Sequence, residues 1–382
     1  MLYARRCATF AASWVDAPLL ERAPEAPLPT LTIVVPARDE ERSIERCLRS
    51  LLGQRFVDFH VVVVDDRSSD ATPAILARLA REDARLTVVR GEALPAGWIG
   101  KPWALAQGVR HARGAWLLFT DADSWHEPAG AASILWLATR AGVDAISIAT
   151  RQELGTFWER AVLPSILGMI LFVSGPLGSI NDPEKPKKAL ANGQYILVER
   201  AAYDALGGHA ALRGEIVEDV AFARRLKADG RFRLLLVGGD RIASVRMYHS
   251  FAEIWSGFTK NVYLGAEGDL RALAGGAIFT LAISIGPPAL ALYALARKRY
   301  VDALEAVLVS VTIVATASWG MRRAGFSRKL AFLQPLGTAI FAGVIANSTA
   351  RVLGGRGVEW RGRTYHAGAG EARVASEPKA PV

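Results

Sequence analysis

Cysteine is almost absent from this chain of 382 residues, in which only Cys7 and Cys47 occur. Two cysteines do not make a disulfide scaffold, and their spacing does not fit a zinc site, so this scarcity favours a reducing compartment. Glycine is also missing after the first predicted strand, residues 31–36. Without glycine there, the segment matches neither the Walker A loop nor the dinucleotide-binding fingerprint.

Acidic residues are fewer than basic residues. The chain has 37 acidic and 46 basic residues, a net charge of +9, and its isoelectric point is near 9.7. Such an excess suits nucleic acid, anionic lipid or a nucleotide-bearing substrate. The arginines are scattered, with no basic patch interleaved with aromatic residues, so we do not expect nucleic-acid binding.

Apolar residues are abundant and unevenly distributed. They make up 51% of the chain, which excludes a disordered protein. Three C-terminal segments, 272–296, 303–321 and 330–353, have about the 20 residues that a membrane helix needs, and basic residues separate them. They predict two to three membrane helices; the alternative is buried helices of a soluble domain.

Two further apolar segments fit the membrane interface better than a membrane crossing. Residues 161–180 are interrupted by proline and glycine. Residues 251–270 place Phe251, Ile254, Trp255 and Phe258 at helical spacing, as an amphipathic interfacial helix does.

The first half of the chain alternates between strand and helix patterns. Because short apolar runs alternate with amphipathic segments, we predict an α/β domain with a mostly parallel sheet and helices on both faces. Ligands of such sheets bind at the carboxyl ends of the strands, and polar clusters follow residues 36, 64 and 120. The predicted strands are 31–36, 60–64, 86–89, 115–120 and 144–149, and the predicted helices between them are 40–53 and 70–81.

The cluster after residue 120 has the strongest chemical content. Asp121 and Asp123 emerge from an apolar run, and two carboxylates at this spacing predict a site for Mg²⁺ or Mn²⁺. Glu218 and Asp219 open a predicted helix, where they serve either as a helix N-terminus or as a general base. Lys101 precedes another helix and is placed for a phosphate, although a lone lysine is usually only solvated.

The clusters after residues 36 and 64 have structural explanations of their own. PARDEE can be a charged helix N-terminus. DDRSSD can be a turn and helix cap, although its adjacent carboxylates exceed what a cap needs.

Taken in order, VVPARDEE, VVDDRSSD, GWIGKPWA, the DAD, NGQYILVERAAYDALGG and the ED resemble family 2 inverting glycosyltransferases of the GT-A fold. The resemblance covers about residues 31–266. The C-terminal pattern is similar to the membrane-bound, lipid-glycosylating branch: the hopanoid-associated, carotenoid and ceramide glucosyltransferases. The tail WRGRTY at 360–365 belongs to that pattern.

The resemblance implies a role for each matching residue. Asp219 would be the catalytic base, and Asp123, with Asp121, would hold the divalent ion. Asp121 would also lie near the ribose. The nucleotide site would be lined by Pro36, Arg38, Glu40 and Asp66, with Lys101 near the phosphates.

The implied activity is the inverting transfer of one sugar from a nucleotide sugar, with UDP as the expected nucleotide, to a hydroxyl of a lipid. The QxxRW motif that polymer synthases use is absent after the ED, which favours a single transfer. A polyprenyl-phosphate sugar synthase and a non-catalytic membrane-associated nucleotide-sugar-binding protein are the alternatives. A nucleotidyltransferase would need glycine in the first loop.

The expected organisation follows from these assignments. We expect an N-terminal segment (1–30) that is neither signal peptide nor membrane span, the GT-A domain (31–250), the interfacial helix (251–270), the membrane segments (271–353) and a basic tail (354–382). The protein would reside in a bacterial cytoplasmic membrane with its catalytic domain facing the cytoplasm. Prolines interrupt the first and the third apolar segment, so one of these two segments is expected not to cross the membrane. The remaining two crossings would keep the tail on the cytoplasmic side.

Overall fold

The structure, a computed structural model, describes residues 13–265, 270–323, 326–354, 358–360, 363–368 and 371–376. The remaining residues include Cys7, most of the basic residues assigned to the tail and parts of the segments 1–30 and 354–382. What the sequence predicts for these residues lies outside the described part of the chain.

Two compact units make up the chain. An α/β unit lies within residues 15–153 and 177–247 and includes the described residues from 359 onward, and a helical unit lies within residues 154–176 and 248–358. The helical unit thus includes 154–176, which the domain prediction assigned to the catalytic domain. The helices, α1 to α12, are Ile44–Leu52, Thr72–Glu82, Gly100–Arg110, Gly130–Ala141, Phe157–Ser174, Leu177–Ile180, Arg200–Ala205, Glu218–Asp229, Phe251–Gly265, Leu270–Ala296, Tyr300–Arg323 and Gln334–Leu353.

An eight-stranded sheet forms the centre of the α/β unit. Its strands, β1 to β8, are Leu31–Ala37, Phe59–Asp65, Leu86–Arg90, Trp116–Thr120, Ser124–His126, Ala145–Gln152, Tyr195–Glu199 and Leu234–Val245. Their order in the sheet is β3-β2-β1-β4-β7-β6-β8-β5. Strands β1, β2, β3 and β4 are parallel, as predicted. Strand β7 is antiparallel to both β4 and β6, and the sequence prediction missed it together with β5 and β8.

Helices cover both faces of this sheet, because successive residues of a buried strand point to opposite sides. Ile33 and Val35 pack in one core cluster with Leu48 of α1. Val34, between them, packs in a second cluster with Leu105 of α3. The prediction of an α/β sheet with two covered faces is therefore confirmed.

Within the part of the chain that the structure describes, the helical unit contains three helices long and apolar enough to cross a membrane, at Leu273–Ala296, Tyr300–Trp319 and Lys329–Arg351. The expected break at Pro287 and Pro288 is wrong, since α10 continues through both prolines. A proline in a helix interior removes one backbone hydrogen bond without necessarily ending the helix.

The turn between α10 and α11 is short and basic. It consists of Arg297, Lys298 and Arg299, with Lys298 in the left-handed region at φ 56°. The N–H of Arg299 donates to the carbonyl oxygen of Ala294 at 2.8 Å and closes the turn.

Helix α9 places its predicted interfacial face partly against protein. Ile254 is 0% and Phe258 6% exposed, and both pack with Val162 of α5 and Val344 of α12. Protein therefore covers the part of this face that was expected to meet lipid.

The described parts of the tail form a separate small sheet. Strands β9, β10 and β11 are Val358–Trp360, Arg363–Gly368 and Glu371–Ser376, and β10 pairs antiparallel with β11.

Candidate active site

The carboxyl ends of β1 and β2 bring Arg38 and Asp66 together. Nη1 of Arg38 donates to the backbone oxygen of Asp66 at 2.9 Å and lies 3.6 Å from its carboxylate Oδ2. Asp66 is only 3% exposed, and Pro36 lies opposite Val64 in the register of the two strands. Three of the predicted nucleotide-site residues therefore share this edge.

Glu40 has a structural role at the same edge. Its backbone N–H donates to Thr72 Oγ1 at 2.8 Å, and its carboxylate accepts from Ser43 Oγ at 2.8 Å, just before α1 begins. These contacts match the helix N-terminus alternative for PARDEE. Its assignment to the nucleotide site stays a prediction.

Lys101 is bound by two carboxylates. Its Nζ lies 2.8 Å from Asp121 Oδ1 and 2.8 Å from Glu218 Oε1. Burial alone would lower the pKa of Lys101, but the negative charges of Asp121 and Glu218 outweigh it and hold that pKa well above its usual range. Lys101 therefore links the end of β4 to the start of α8.

Asp219 lies beside this ion-pair cluster. Its Oδ2 accepts from the N–H of Gly193 and its Oδ1 from the N–H of Val220, both at 2.8 Å. Burial, with the neighbouring charge of Glu218, raises the pKa of Asp219 to about 6. A carboxylate with this pKa can accept a proton near neutral pH.

The backbone of Gly193 lies close to the side chains of both Lys101 and Asp219. A Cβ atom at this position would lie 3.0 Å from Lys101 Nζ and 3.1 Å from Asp219 Oδ2. A side chain would crowd the cluster, so glycine allows the loop before β7 to contact it.

Asp123 is half-buried, and one of its carboxylate oxygens is enclosed. Its Oδ1 is buried and has no hydrogen-bond partner among the described residues. Burial, with the charges of Asp121 and Glu40, raises the pKa of Asp123 to about 8. No group of three or more His, Cys, Asp or Glu side chains in the described part of the chain is arranged as a metal site.

A buried polar network beneath the site was missed by the sequence analysis. Thr120 Oγ1 donates to the backbone oxygen of Gln194 at 2.8 Å and lies 2.8 Å from Ser124 Oγ. Thr150 Oγ1 donates to Gln194 Oε1 at 2.5 Å. The NGQ sequence before β7 was the available signal, since polar residues next to a buried strand need partners.

The sequence predictions for Lys101, Asp121 and Asp219 thus fall in one cluster, joined by Glu218. Arg38 and Asp66 form a second group at the ends of the neighbouring strands β1 and β2. Both groups lie at carboxyl ends of parallel strands or on the elements that contact them.

The chain is similar to several known proteins. The 4,4'-diaponeurosporenoate glycosyltransferase of Staphylococcus aureus strain USA300 is 28% identical over 345 residues, covering 88% of each chain. The protein of the same name from strain bovine RF122 / ET3-1 is 27% identical over the same length, with the same coverage.

A solved mannosyltransferase structure shares the fold. The mannosyltransferase PcManGT from Pyrobaculum calidifontis, in complex with GDP-Man and Mn²⁺, has a TM-score of 0.50 and 19% identity, covering 92% of this chain and 94% of that chain. Residues 32–204 match the family described as Glycosyl transferase family 2. The fold is therefore GT-A, followed by apolar helices that could span a membrane, and residues 32–204 are similar to glycosyl transferase family 2.

Proposed function

We propose that the protein is a membrane-bound inverting glycosyltransferase that moves one sugar from a nucleotide sugar to a hydroxyl of a carotenoid-like lipid. The cluster of Lys101, Asp121, Glu218 and Asp219 within a family 2 fold is the observation that carries the proposal. It combines a carboxylate suited to proton transfer with a strand end suited to a diphosphate.

Asp219 is the proposed base. It takes the proton of the acceptor hydroxyl while that oxygen attacks the anomeric carbon from the face opposite the leaving nucleotide. A single displacement of this kind inverts the configuration at the anomeric carbon. The raised pKa of Asp219 supports this role, because a stronger base accepts the proton of an alcohol more readily.

The donor nucleotide is proposed to bind at the ends of β1 and β2. The buried carboxylate of Asp66 accepts hydrogen bonds from the base, and Arg38 holds Asp66 in place through its backbone oxygen. UDP is the first nucleotide to test.

A divalent ion is proposed to bind beside Asp123. The unpartnered, buried Oδ1 of Asp123 offers a free oxygen ligand, and Asp121 follows the same strand. Asp123 and Asp121 would hold Mg²⁺ or Mn²⁺, which would offset the charge of the leaving diphosphate. One or two carboxylates are what proteins commonly offer to Mg²⁺ at sites shared with a phosphate-bearing substrate.

The acceptor is proposed to reach the site from the membrane. Three helices of sufficient length and apolarity support this location. The name of the S. aureus relatives, which refers to diaponeurosporenoate, supports a carotenoid-like lipid before a hopanoid or a ceramide. A bacterial inner membrane with a cytoplasmic catalytic unit gives the enzyme access to nucleotide sugars.

The test supplies membranes containing the protein with several radiolabelled nucleotide sugars, followed by lipid extraction. We expect label in a neutral lipid of the organic phase, and its absence in membranes with Asp219→Asn. Label confined to the aqueous phase would refute the lipid acceptor. Label in an acid-labile polyprenyl phosphate would instead favour a polyprenyl-phosphate sugar synthase.

A further inference from the structure

We propose that Gln194 is a specificity-determining residue whose side-chain amide donates a hydrogen bond from Nε2 to a hydroxyl of the transferred sugar. This inference rests on the function proposed above. It concerns a residue of the NGQ sequence in the loop before β7.

The orientation of the Gln194 amide follows from its neighbour Asn192. Nδ2 of Asn192 donates to the backbone oxygen of Ile148 at 3.0 Å, and its Oδ1 accepts from the N–H of Gln194 at 3.2 Å. Asn192 therefore presents an N–H to the Gln194 side chain. The atom that faces it at 3.2 Å must be the acceptor Oε1.

Two other groups hold the same oxygen. Thr150 Oγ1 donates to Gln194 Oε1 at 2.5 Å, and Gln152 Nε2 donates to it at 3.4 Å. With three donors on Oε1, the amide cannot flip without opposing donors to donors. Nε2 is thereby fixed in the opposite direction.

Nε2 itself has no hydrogen-bond partner among the described residues. Gln194 is 8% exposed. Nε2 is not among the polar atoms that are both fully buried and without a partner, so Nε2 is accessible to solvent. Amide groups in such sheltered positions are expected to be hydrogen-bonded. The Gln194 amide is held in place through Oε1, while the N–H groups of Nε2 have no protein partner in the described part of the chain. Nε2 is therefore suited to donate a hydrogen bond to a ligand.

The loop around Gln194 contacts the proposed base and the strand end that precedes Asp121. The N–H of Gly193 donates to Asp219, the proposed base, at 2.8 Å. Thr120, which directly precedes Asp121, donates to the backbone oxygen of Gln194 at 2.8 Å. In a single displacement, the sugar lies between the leaving diphosphate and the base. The group beside this loop is therefore the sugar.

A neutral N–H donor distinguishes sugars by the position of a hydroxyl oxygen. A sugar that places a hydroxyl within reach gains a hydrogen bond, whereas an epimer leaves the sheltered N–H unpaired. We therefore assign Gln194 a part in selecting the sugar and no part in binding the nucleotide.

The experiment measures binding to the detergent-purified full chain by titration calorimetry. UDP-glucose, UDP-galactose, UDP-N-acetylglucosamine and GDP-mannose are each compared with their own nucleoside diphosphate. We expect one sugar to increase the affinity of the wild type over that of the diphosphate. Gln194→Glu, which keeps an acceptor for the three donors but loses the N–H, should reduce this increase about tenfold. The affinity for the diphosphate itself should stay unchanged.

Two further variants separate recognition from structure. Gln194→Met keeps the length of the side chain without the amide and should lose the same increase. Thr150→Val removes one donor to Oε1 but leaves Nε2 in place, so it should lower the melting temperature and retain the increase.

The inference is wrong if Gln194→Glu and Gln194→Met keep the preference for the sugar, or if Thr150→Val loses it equally. It is also wrong if no sugar improves on its diphosphate in the wild type, a result that leaves the proposed glycosyl transfer open to the membrane assay. A wild type that binds no nucleotide and transfers no label would refute the proposed function itself.

Discussion

The side chain of Asp219 combines two backbone hydrogen bonds with a raised pKa. Asp219→Asn cannot take up a proton, and we expect it to lower the transfer rate by about 10²–10⁴-fold while donor binding is retained. Transfer of label to lipid and calorimetric titration measure the two quantities. Because asparagine turns an N–H toward one of the two backbone groups, the melting temperature is measured alongside.

Asp229→Asn is the matched control for this change. Asp229 ends the same helix α8 and pairs with Arg231 on the surface. It should leave the transfer rate unchanged. Normal turnover in Asp219→Asn would assign the base to another acid.

The pH dependence of transfer follows from the same carboxylate. Burial and the charge of Glu218 raise the pKa of Asp219 to about 6, against the opposing effects of Lys101 and the N–H groups of Gly193 and Val220. A base acts in its deprotonated form, so the rate should rise with pH through about 6 and then level off.

Glu218→Gln tests this explanation. It removes the neighbouring negative charge, so the midpoint of the pH profile should move to lower pH. Transfer rates across a pH series on both sides of the midpoint give the answer. An unchanged midpoint in this variant would show that another group governs the profile.

The unpartnered oxygen of Asp123 leads to a prediction about divalent ions. Asp123→Asn keeps the shape of the side chain without its charge, so the melting temperature of the ion-free protein should change little. The wild type should gain stability when Mn²⁺ and UDP are added together, because both bind the folded state. The variant should lose most of that gain.

Asp83→Asn is a surface control for Asp123→Asn. Asp83 pairs with Arg85 away from the site and should retain the full gain in melting temperature. An equal gain in Asp123→Asn, or full activity of the wild type in the presence of a chelator, would refute the metal assignment.

At the scale of elements, the contact of α12 with α5 depends on a glycine. A Cβ at Gly337 would clash with Ser165 Oγ and lie 2.5 Å from the carbonyl oxygen of Ala161. Gly337→Ala should therefore lower the free energy of unfolding by about 1–3 kcal/mol, as overpacking does. Thermal unfolding in detergent measures the change.

Gly276→Ala in α10 provides the comparison. Nothing lies within 4 Å of a Cβ at that position. Alanine is the better helix former, so this variant should gain about 0.5–1 kcal/mol. Equal effects of the two variants would show that the α5–α12 contact does not limit stability.

The elements differ in how well the sequence predicts them. Strands β1, β2 and β4 are apolar runs that end in polar clusters, so both their positions and the location of Asp121 could be predicted. Strand β7 could not be placed, because nothing in its sequence shows that it inserts antiparallel between β4 and β6. That insertion brings the loop of Gly193 to Asp219. The partners of Lys101 depend on the same tertiary contacts, which sequence spacing does not encode.

For the whole molecule, the burial of the candidate spans bears on the number of crossings. The apolar window of the third span is 39% buried inside the protein, compared with 17% and 11% for the first two. Polar contacts join α12 to α9, where Ser348 Oγ donates to the backbone oxygen of Thr259 at 2.6 Å. We predict that α10 and α11 cross the membrane and α12 does not, which leaves the tail on the cytoplasmic side.

Cysteine labelling tests this topology in a variant without Cys7 and Cys47. Thr364→Cys should resist a membrane-impermeant thiol reagent in intact cells and react after lysis. Lys298→Cys, in the turn between α10 and α11, should react in intact cells. Labelling of Thr364→Cys in intact cells would show that the tail lies outside.

The three-residue turn at Lys298 leaves α10 and α11 little freedom to move independently. The candidate span within α10 has 24 residues, about 36 Å at 1.5 Å per residue, whereas the hydrocarbon layer of a bilayer is about 30 Å thick. The helix pair must therefore tilt together, or the surrounding lipids must stretch. The tilt of the helix pair therefore depends on the acyl-chain length of the host lipids, and this length should be matched in any reconstituted vesicle.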